Sequence, residues 1–320
     1  MIKKIDDPLD FLATHHFILW NKLRGDVTRD VLYNKDLDLA WLRPSEDRVI
    51  DIEHFYSDEY RKKYFNRDKL DLEANHTKMK GLQHFRVKWL KKFISGQDSL
   101  LELGCSSGYF LEQIQAYISE ATGLELNEEE AAYGRSLGVS IVTGMPEAIT
   151  TKFEHICLFQ VLEHQQDPIQ FLNEITNKLL KSNGIVHIEV PTLDNPLIRL
   201  FLIPEFRDFW FQEPHLFYFS KASLVAMLNI AGFKILDVSI RQSAGLVNHL
   251  NWMIAGKPMK NREAVVSSLP DFNFVENMGS DKDNLQKISS FFEKINSDYV
   301  ELLESMGYGD VLMISATKNN

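Results

Sequence analysis

Between residues 99 and 191 short apolar runs alternate with stretches whose apolar residues recur every three or four positions. SLLEL, EATGLEL, VSIVTG, ICLFQVLEH and GIVHIEVP read as strands. YFLEQIQAYI, NEEEAAYGRSLG and PIQFLNEITNKLLKSNG read as the helices between them, the last two closed by glycine. This repeated β-α-β order predicts a parallel sheet wound by right-handed crossovers, with helices on both faces and ligands at the carboxyl ends of the strands. Upstream, Leu82, Phe85, Trp89 and Phe93 fall at helical spacing and predict a helix over 78–94 that leads into the first strand. Downstream, SKASLVAMLNIAGF reads as a serine-capped helix closed by Gly232, and FKILDVSIRQ as a strand. A long amphipathic helix from Asp283 to Met306, packed on the core, and a last strand in DVLMISATK complete the pattern.

Two regions lack such a period. The first 75 or so residues interleave Asp, Arg and aromatics without clean alternation, as in VLYNKDLDLAWLRPSEDRVIDIEHFYSDEYRKKYF, and predict no regular elements. After Pro191 the regularity lapses again in TLDNPLIRLFLIPEFRDFWFQEPHLFYFS, rich in proline and aromatics. A loop of that length is usually functional, and a cover over a site is its expected role. The chain thus divides into an N-terminal extension over 1–77, a possible substrate lid, a core over 78–242 with the aromatic cover 192–220, and a C-terminal helical insertion with the last core strand over 243–320.

Composition narrows the class. Hydrophobic residues make up 44% and charged residues 25% of the 320, as in ordinary folded domains. The net charge of −10 argues against nucleic acid as a partner. The nearest basic cluster, RVKWLKKF at 86–93, reads as a solvated helix face. Cys105 and Cys157 stand alone in apolar surroundings, which supports neither a disulfide framework nor a zinc site. MIKKIDDPLDFL has no apolar stretch of signal length and no run reaches spanning length, so cytoplasm is the expected location.

The segment LLELGCSSGYF carries the candidate chemistry. Gly104 and Gly108 follow the first strand, where glycines let backbone approach a ligand. A dinucleotide would require G-x-G-x-x-G, which G-C-S-S-G does not supply, and Glu102 before the turn would repel phosphate while suiting a cationic amine. Glu125, at the end of the second strand, stands where an acidic side chain accepts both hydroxyls of a ribose. The pair describes an adenosine with an amino-acid tail.

ELGCSSGYF, GLELNEEEAAYGR, GMPE, FQVLEHQQDP, LLKSNGIVHIEVP and NIAGF, in this order and spacing, resemble the successive motifs of class I S-adenosylmethionine-dependent methyltransferases. The resemblance covers roughly residues 80–240. It implies an α/β fold with a doubly wound, mostly parallel, seven-stranded Rossmann-like sheet, carrying here an N-terminal extension and a C-terminal helical insertion. It implies that Gly104, Cys105, Ser106 and Gly108, with Tyr109 and Phe110 behind them, carry the methionine part of the cofactor, and that Glu102 reaches its amine or the water around it. Glu125 with Leu126 would bind the ribose, Met145 with Glu147 would flank the adenine, and Gln160 with Val161 would line the sulfonium. Ser106 departs from the glycine many members have, which predicts weakened affinity at most. The tail RQSAGLVNHLNWMIAGKP, a helix with Tyr299 and GYGDVLMISATK resemble methyltransferases of bacterial surface-saccharide and related small-molecule pathways.

Methyl transfer needs the acceptor aligned and its proton taken up. His164, just past the fourth strand, and His215, in the aromatic cover, are the candidate bases; His164 reads equally as a brace. Trp210, Tyr218 and His249 are candidate acceptor contacts, the last on resemblance alone, whereas His187 inside the fifth strand reads as structural. Glu163 and Glu189 lack an Asp-Asp pair at ligand spacing, so no metal is expected. The expected acceptor is a small molecule, a hydroxyl of a saccharide or similar polar metabolite. Transfer to nitrogen, carbon or a phenol, and a non-catalytic nucleoside-binding relative, stand as alternatives.

Overall fold

The computed structural model describes residues 15–44, 71–259 and 282–318. The chain forms two compact units, one of 1–43, 190–226 and 238–313, the other of 44–189, 227–237 and 314–320. HFYSDEYRKKYF lies outside the described residues.

The first unit overturns the expectation of an irregular N-terminus. Strands β1 (Phe17–Leu23), β2 (Val27–Asn34) and β3 (Leu39–Leu42) form an antiparallel meander. Its first turn uses left-handed Gly25 and Asp26, and its second is held by Asn34 Oδ1, which accepts from the backbone of Asp36 at 2.9 Å and Leu37 at 3.0 Å. The alternation is hidden because the β1 register slips between Ile18 and Trp20 and again between Trp20 and Lys22, so inward positions are not evenly spaced.

In the second unit, helices α1 (Leu72–Gly81) and α2 (His84–Leu90) replace the single helix expected over 78–94. Gly81 ends α1, and the Gln83 side chain donates to the Met79 carbonyl at 2.8 Å. The β-α-β series then follows in the expected order: β4 (Ser99–Leu103), α3 (Leu111–Ile114), β5 (Glu120–Glu125), α4 (Glu128–Ser136), β6 (Ser140–Thr143), β7 (Phe153–Phe159), α5 (Pro168–Leu179) and β8 (Leu180–Pro191). The last helix is not closed by Gly184 as expected: it ends at Leu179, where Leu180 is already extended, and KSNG belongs to β8. Asn127 and Asp167 cap α4 and α5, accepting from the amides of Glu130 and Gln170.

The expected cover at 192–220 is not a loop. It contains α6 (Pro196–Arg199), α7 (Pro204–Trp210) and β9 (Phe217–Phe219), and β9 pairs antiparallel with β3 to complete a four-stranded sheet. Leu23, Val31, Ala40, Leu42, Leu193, Phe211 and Tyr218 form the core under that sheet. The remaining elements are α8 (Lys221–Ile230), β10 (Phe233–Arg241), α9 (Leu246–Ala255), α10 (Lys282–Ser305) and β11 (Val311–Lys318), the last two close to their expected bounds.

The larger sheet has the order β10-β11-β8-β7-β4-β5-β6, with β6-β5-β4-β7-β8 paired in parallel. This is the doubly wound, mostly parallel, seven-stranded sheet anticipated. The winding reverses between β4 and β7, and the carboxyl ends of strands at such a reversal are where doubly wound sheets bind ligands. Among the described residues no helix is long and apolar enough to cross a membrane.

Candidate active site

The site is built where β4 and β7 end. All five residues of β4 are buried, and the strand is hydrogen-bonded on both sides, so its exit is fixed. The turn that follows holds three residues in the left-handed region, Gly104 (φ +72°), Ser106 (φ +53°) and Gly108 (φ +74°). A Cβ on Gly108 would stand 2.8 Å from Val139 Cγ1, and one on Gly104 3.1 Å from Val161 Cγ2. Backbone requires both glycines, and space requires Gly108 as well.

Glu102 is buried at the end of β4, and its Oε2 has no hydrogen-bond partner. Burial raises its pKa to about 8. A lone carboxylate oxygen in such a place is costly unless a ligand supplies the donor. Glu125 ends β5 and is held by two backbone amides, Ser106 N–H to Oε2 at 2.8 Å and Asn127 N–H to Oε1 at 2.9 Å. Each of its oxygens retains a lone pair for a further donor. An ammonium group at Glu102 and a vicinal diol at Glu125 fit these two carboxylates, as the amine and ribose of S-adenosylmethionine would.

Other anticipated residues are arranged less simply. Cys105 and Phe110 are buried, with the Phe110 ring 5.1 Å from that of Phe159, so both serve the core under the turn. Tyr109 and Leu126 are partly buried at the turn and beyond β5, and burial raises the Tyr109 pKa to about 12. Met145 is exposed, and Glu147 beside it pairs with Lys178 at 3.0 Å. Gln160 is left-handed (φ +59°), donating from its backbone to the Glu189 carbonyl at 2.8 Å and from Nε2 to Glu189 Oε1 at 3.0 Å. Val161 packs toward Gly104.

Three groups were not anticipated in these roles. Arg86, expected on a solvated face, is buried, and its guanidinium makes a forked contact with Glu189 at 2.8 and 2.6 Å. Burial works against its charge, and the Glu189 carboxylate more than offsets that. Its position between Phe85 and Trp89 on the apolar stripe of the helix was the available signal. Glu163, in the turn after β7, is 1% exposed and neither of its carboxyl oxygens is hydrogen-bonded; burial raises its pKa to about 8. His164 Nε2 lies 3.7 Å from Glu163 Oε1. His76 bonds to Ser107 within the glycine turn. His187, read as structural, is fully buried between His155 and Ser315.

Residues 58–238, more than half of the chain, match the family described as Methyltransferase domain. The chain belongs to this family. It is an S-adenosylmethionine-dependent methyltransferase, and the residues around Gly104–Gly108 fit that cofactor. No curated protein matches it. Solved structures similar to it include a SAM-dependent methyltransferase from Archaeoglobus fulgidus, 16% identical, covering 81% of this chain and 98% of that one at a TM-score of 0.46. Another is a possible histamine N-methyltransferase from Thermotoga maritima, 15% identical, with coverage of 82% and 99% at 0.46. A third is the plantazolicin methyltransferase BamL in complex with a triazolic desmethylPZN analogue and SAH, 14% identical, with coverage of 84% and 97% at 0.45.

In the other unit, His215 is buried and Gln212 Nε2 lies 2.8 Å from its Nε2. Tyr218 is 1% exposed, with its ring 5.0 Å from that of Trp210 and its hydroxyl donating to the Gln212 carbonyl at 2.9 Å. It therefore lies inside the core of its sheet. His249 is buried between Gln242 and Tyr299, 2.6 Å from the Tyr299 hydroxyl, and burial lowers its pKa to about 4.

Proposed function

We propose that this methyltransferase acts on a hydroxyl of a saccharide or similar small polar metabolite. The cofactor would supply an electrophilic methyl group. Gly104–Gly108 and Glu102 would hold its methionine part, Glu125 with Leu126 its ribose, Met145 its adenine edge, and Gln160 with Val161 the neighbourhood of the reacting centre.

The observation that supports a hydroxyl acceptor is the Glu163 carboxyl group, buried with neither oxygen bonded and 3.7 Å from His164. An alcohol must lose its proton as the new bond forms, and the Glu163 carboxyl group can take it in its ionised form, which gains population as pH rises toward about 8. His164, beside it, is the second proton acceptor at this strand end. His215, the other candidate base, and Trp210 and His249, candidate acceptor contacts, belong to the other unit. An amine or phenol would depend far less on such a base.

The test is transfer of labelled methyl from S-adenosylmethionine to a panel of monosaccharides and sugar nucleotides, with matched amines and phenols alongside. The reading expects an O-methylated product, and a loss of about 10²–10⁴-fold in kcat for Glu163→Gln or His164→Ala. Labelled amines or phenols, with both variants within about threefold of wild type, would replace it with the alternative acceptor class.

A further inference from the structure

Ser107 lies between left-handed Ser106 and Gly108, and it is held from two sides. Its carbonyl oxygen is 2.6 Å from where a Cβ on Gly134 would stand, so α4 fits against it only because residue 134 lacks a side chain. Its hydroxyl is 2.9 Å from Nδ1 of His76, on α1, and both residues are buried. The other ring nitrogen, Nε2, lies 2.8 Å from Glu112 Oε2, and Lys80 Nζ reaches Glu112 Oε1 at 2.6 Å.

Partial burial works to raise the Glu112 pKa, but hydrogen bonds from Lys80 and His76 more than offset it, and the net direction is down. The carboxylate therefore accepts, and Nε2 carries the hydrogen. With Nε2 turned to that carboxylate, Nδ1 faces the Ser107 hydroxyl and is its hydrogen-bond partner at 2.9 Å. Tyr109 and Tyr133 stand edge-on to the imidazole at 6.2 and 5.7 Å and fix its plane. Left-handed backbone at a residue other than glycine persists only where its surroundings over-determine it. Ser106 is such a residue, and the Ser107 hydroxyl is the handle by which α1 holds it.

We propose that His76 is a positioning residue for the cofactor: through Ser107 it keeps the 104–108 turn in its binding conformation, so that docking of α1 and binding of S-adenosylmethionine favour each other. The inference rests on the cofactor lying over that turn. Because coupling is reciprocal, a ligand in the turn tightens α1 as much as α1 tightens the ligand.

The experiment is calorimetric titration of S-adenosylhomocysteine into the full chain and its His76→Phe, His76→Gln, Ser107→Ala, His76→Phe/Ser107→Ala and Glu125→Ala variants. Loss of one hydrogen bond predicts about tenfold weaker binding for His76→Phe and for Ser107→Ala. The double variant should be no weaker than the worse single one, because both remove the same bond. His76→Gln, whose amide oxygen can accept from Ser107, should recover most of the affinity. Hydrogen exchange in α1 should slow on ligand addition in wild type and not in His76→Phe; a histidine that only stabilises the fold would leave that response and the affinity unchanged. Binding by His76→Phe within about twofold of wild type, or losses that multiply in the double variant, would overturn the proposal. Should His76→Phe fail to fold, Ser107→Ala within about twofold of wild type would overturn it equally. Glu125→Ala separates the two ideas: unchanged binding there means the cofactor lies elsewhere, whereas lost binding there with normal His76 variants removes only the role of His76.

Discussion

The backbone N–H of Ser106 donates to Glu125 Oε2 at 2.8 Å. This bond joins the glycine turn to the end of the neighbouring strand, and it explains why serine is accepted at position 106. The turn requires a left-handed residue with a free amide there, and serine meets that at a modest cost. Ser106→Gly should leave S-adenosylhomocysteine affinity within about threefold and raise stability by up to about 1 kcal/mol. Ser106→Val should cost about 1–2 kcal/mol in urea unfolding, since a β-branched side chain is poorly tolerated in that conformation.

Gly108 and Gly138 separate the effect of backbone from that of space. Both have positive φ, but a Cβ on Gly108 meets Val139 at 2.8 Å whereas one on Gly138 meets nothing within 4 Å. Gly138→Ala should cost about 1 kcal/mol through backbone alone. Gly108→Ala should cost about 2–4 kcal/mol and abolish cofactor binding, as read by urea unfolding and calorimetry.

Arg86 and Glu189 form a buried pair in which each partner needs the other. Arg86→Ala or Glu189→Ala should cost about 3–5 kcal/mol by leaving one charge alone. Arg86→Lys should recover only part of that, because a single ammonium cannot reproduce the forked contact at 2.8 and 2.6 Å. Arg86→Met with Glu189→Leu should fold more stably than either single variant, although it releases Gln160, which donates to Glu189.

Stability should fall as pH rises from about 4.5 through neutrality to about 8. Burial raises Glu102 and Glu163 from 4.5 to about 8, so in the folded protein each keeps its proton where the unfolded chain has lost it. Their contribution is fully present below about pH 4.5 and is lost as pH rises toward about 8. Glu102→Gln with Glu163→Gln should flatten that decline in urea unfolding measured from about pH 5.5 to 8.5. A cationic ligand binds the ionised form of Glu102, so wild-type affinity for S-adenosylhomocysteine should rise over the same window.

The β-α-β core was legible because its strands are buried on both faces and its helices carry caps and closing glycines at Asn127, Asp167 and Gly138, signals that survive in a single sequence. The antiparallel sheet of the other unit was not, because the slips in β1 break the alternation, and because β9 is a three-residue strand whose partner lies far away in sequence. The places of Glu102 in β4 and of Glu125 at the end of β5 could be read from the strand pattern. Arg86, Glu163 and His76 take their roles from burial and from distant partners. Glu189 lies 103 residues from Arg86, and Ser107 lies 31 from His76. Nothing local to their own segments announces those contacts beyond the position of Arg86 on an apolar stripe.

The most direct measurement is a crystal structure of the protein with S-adenosylhomocysteine. The account predicts the methionine part against Gly104–Gly108 with its amine at Glu102, directly or through one water, and both ribose hydroxyls on Glu125. An adenosyl group bound away from this turn, or bound here with Glu125 facing no hydroxyl, would contradict it.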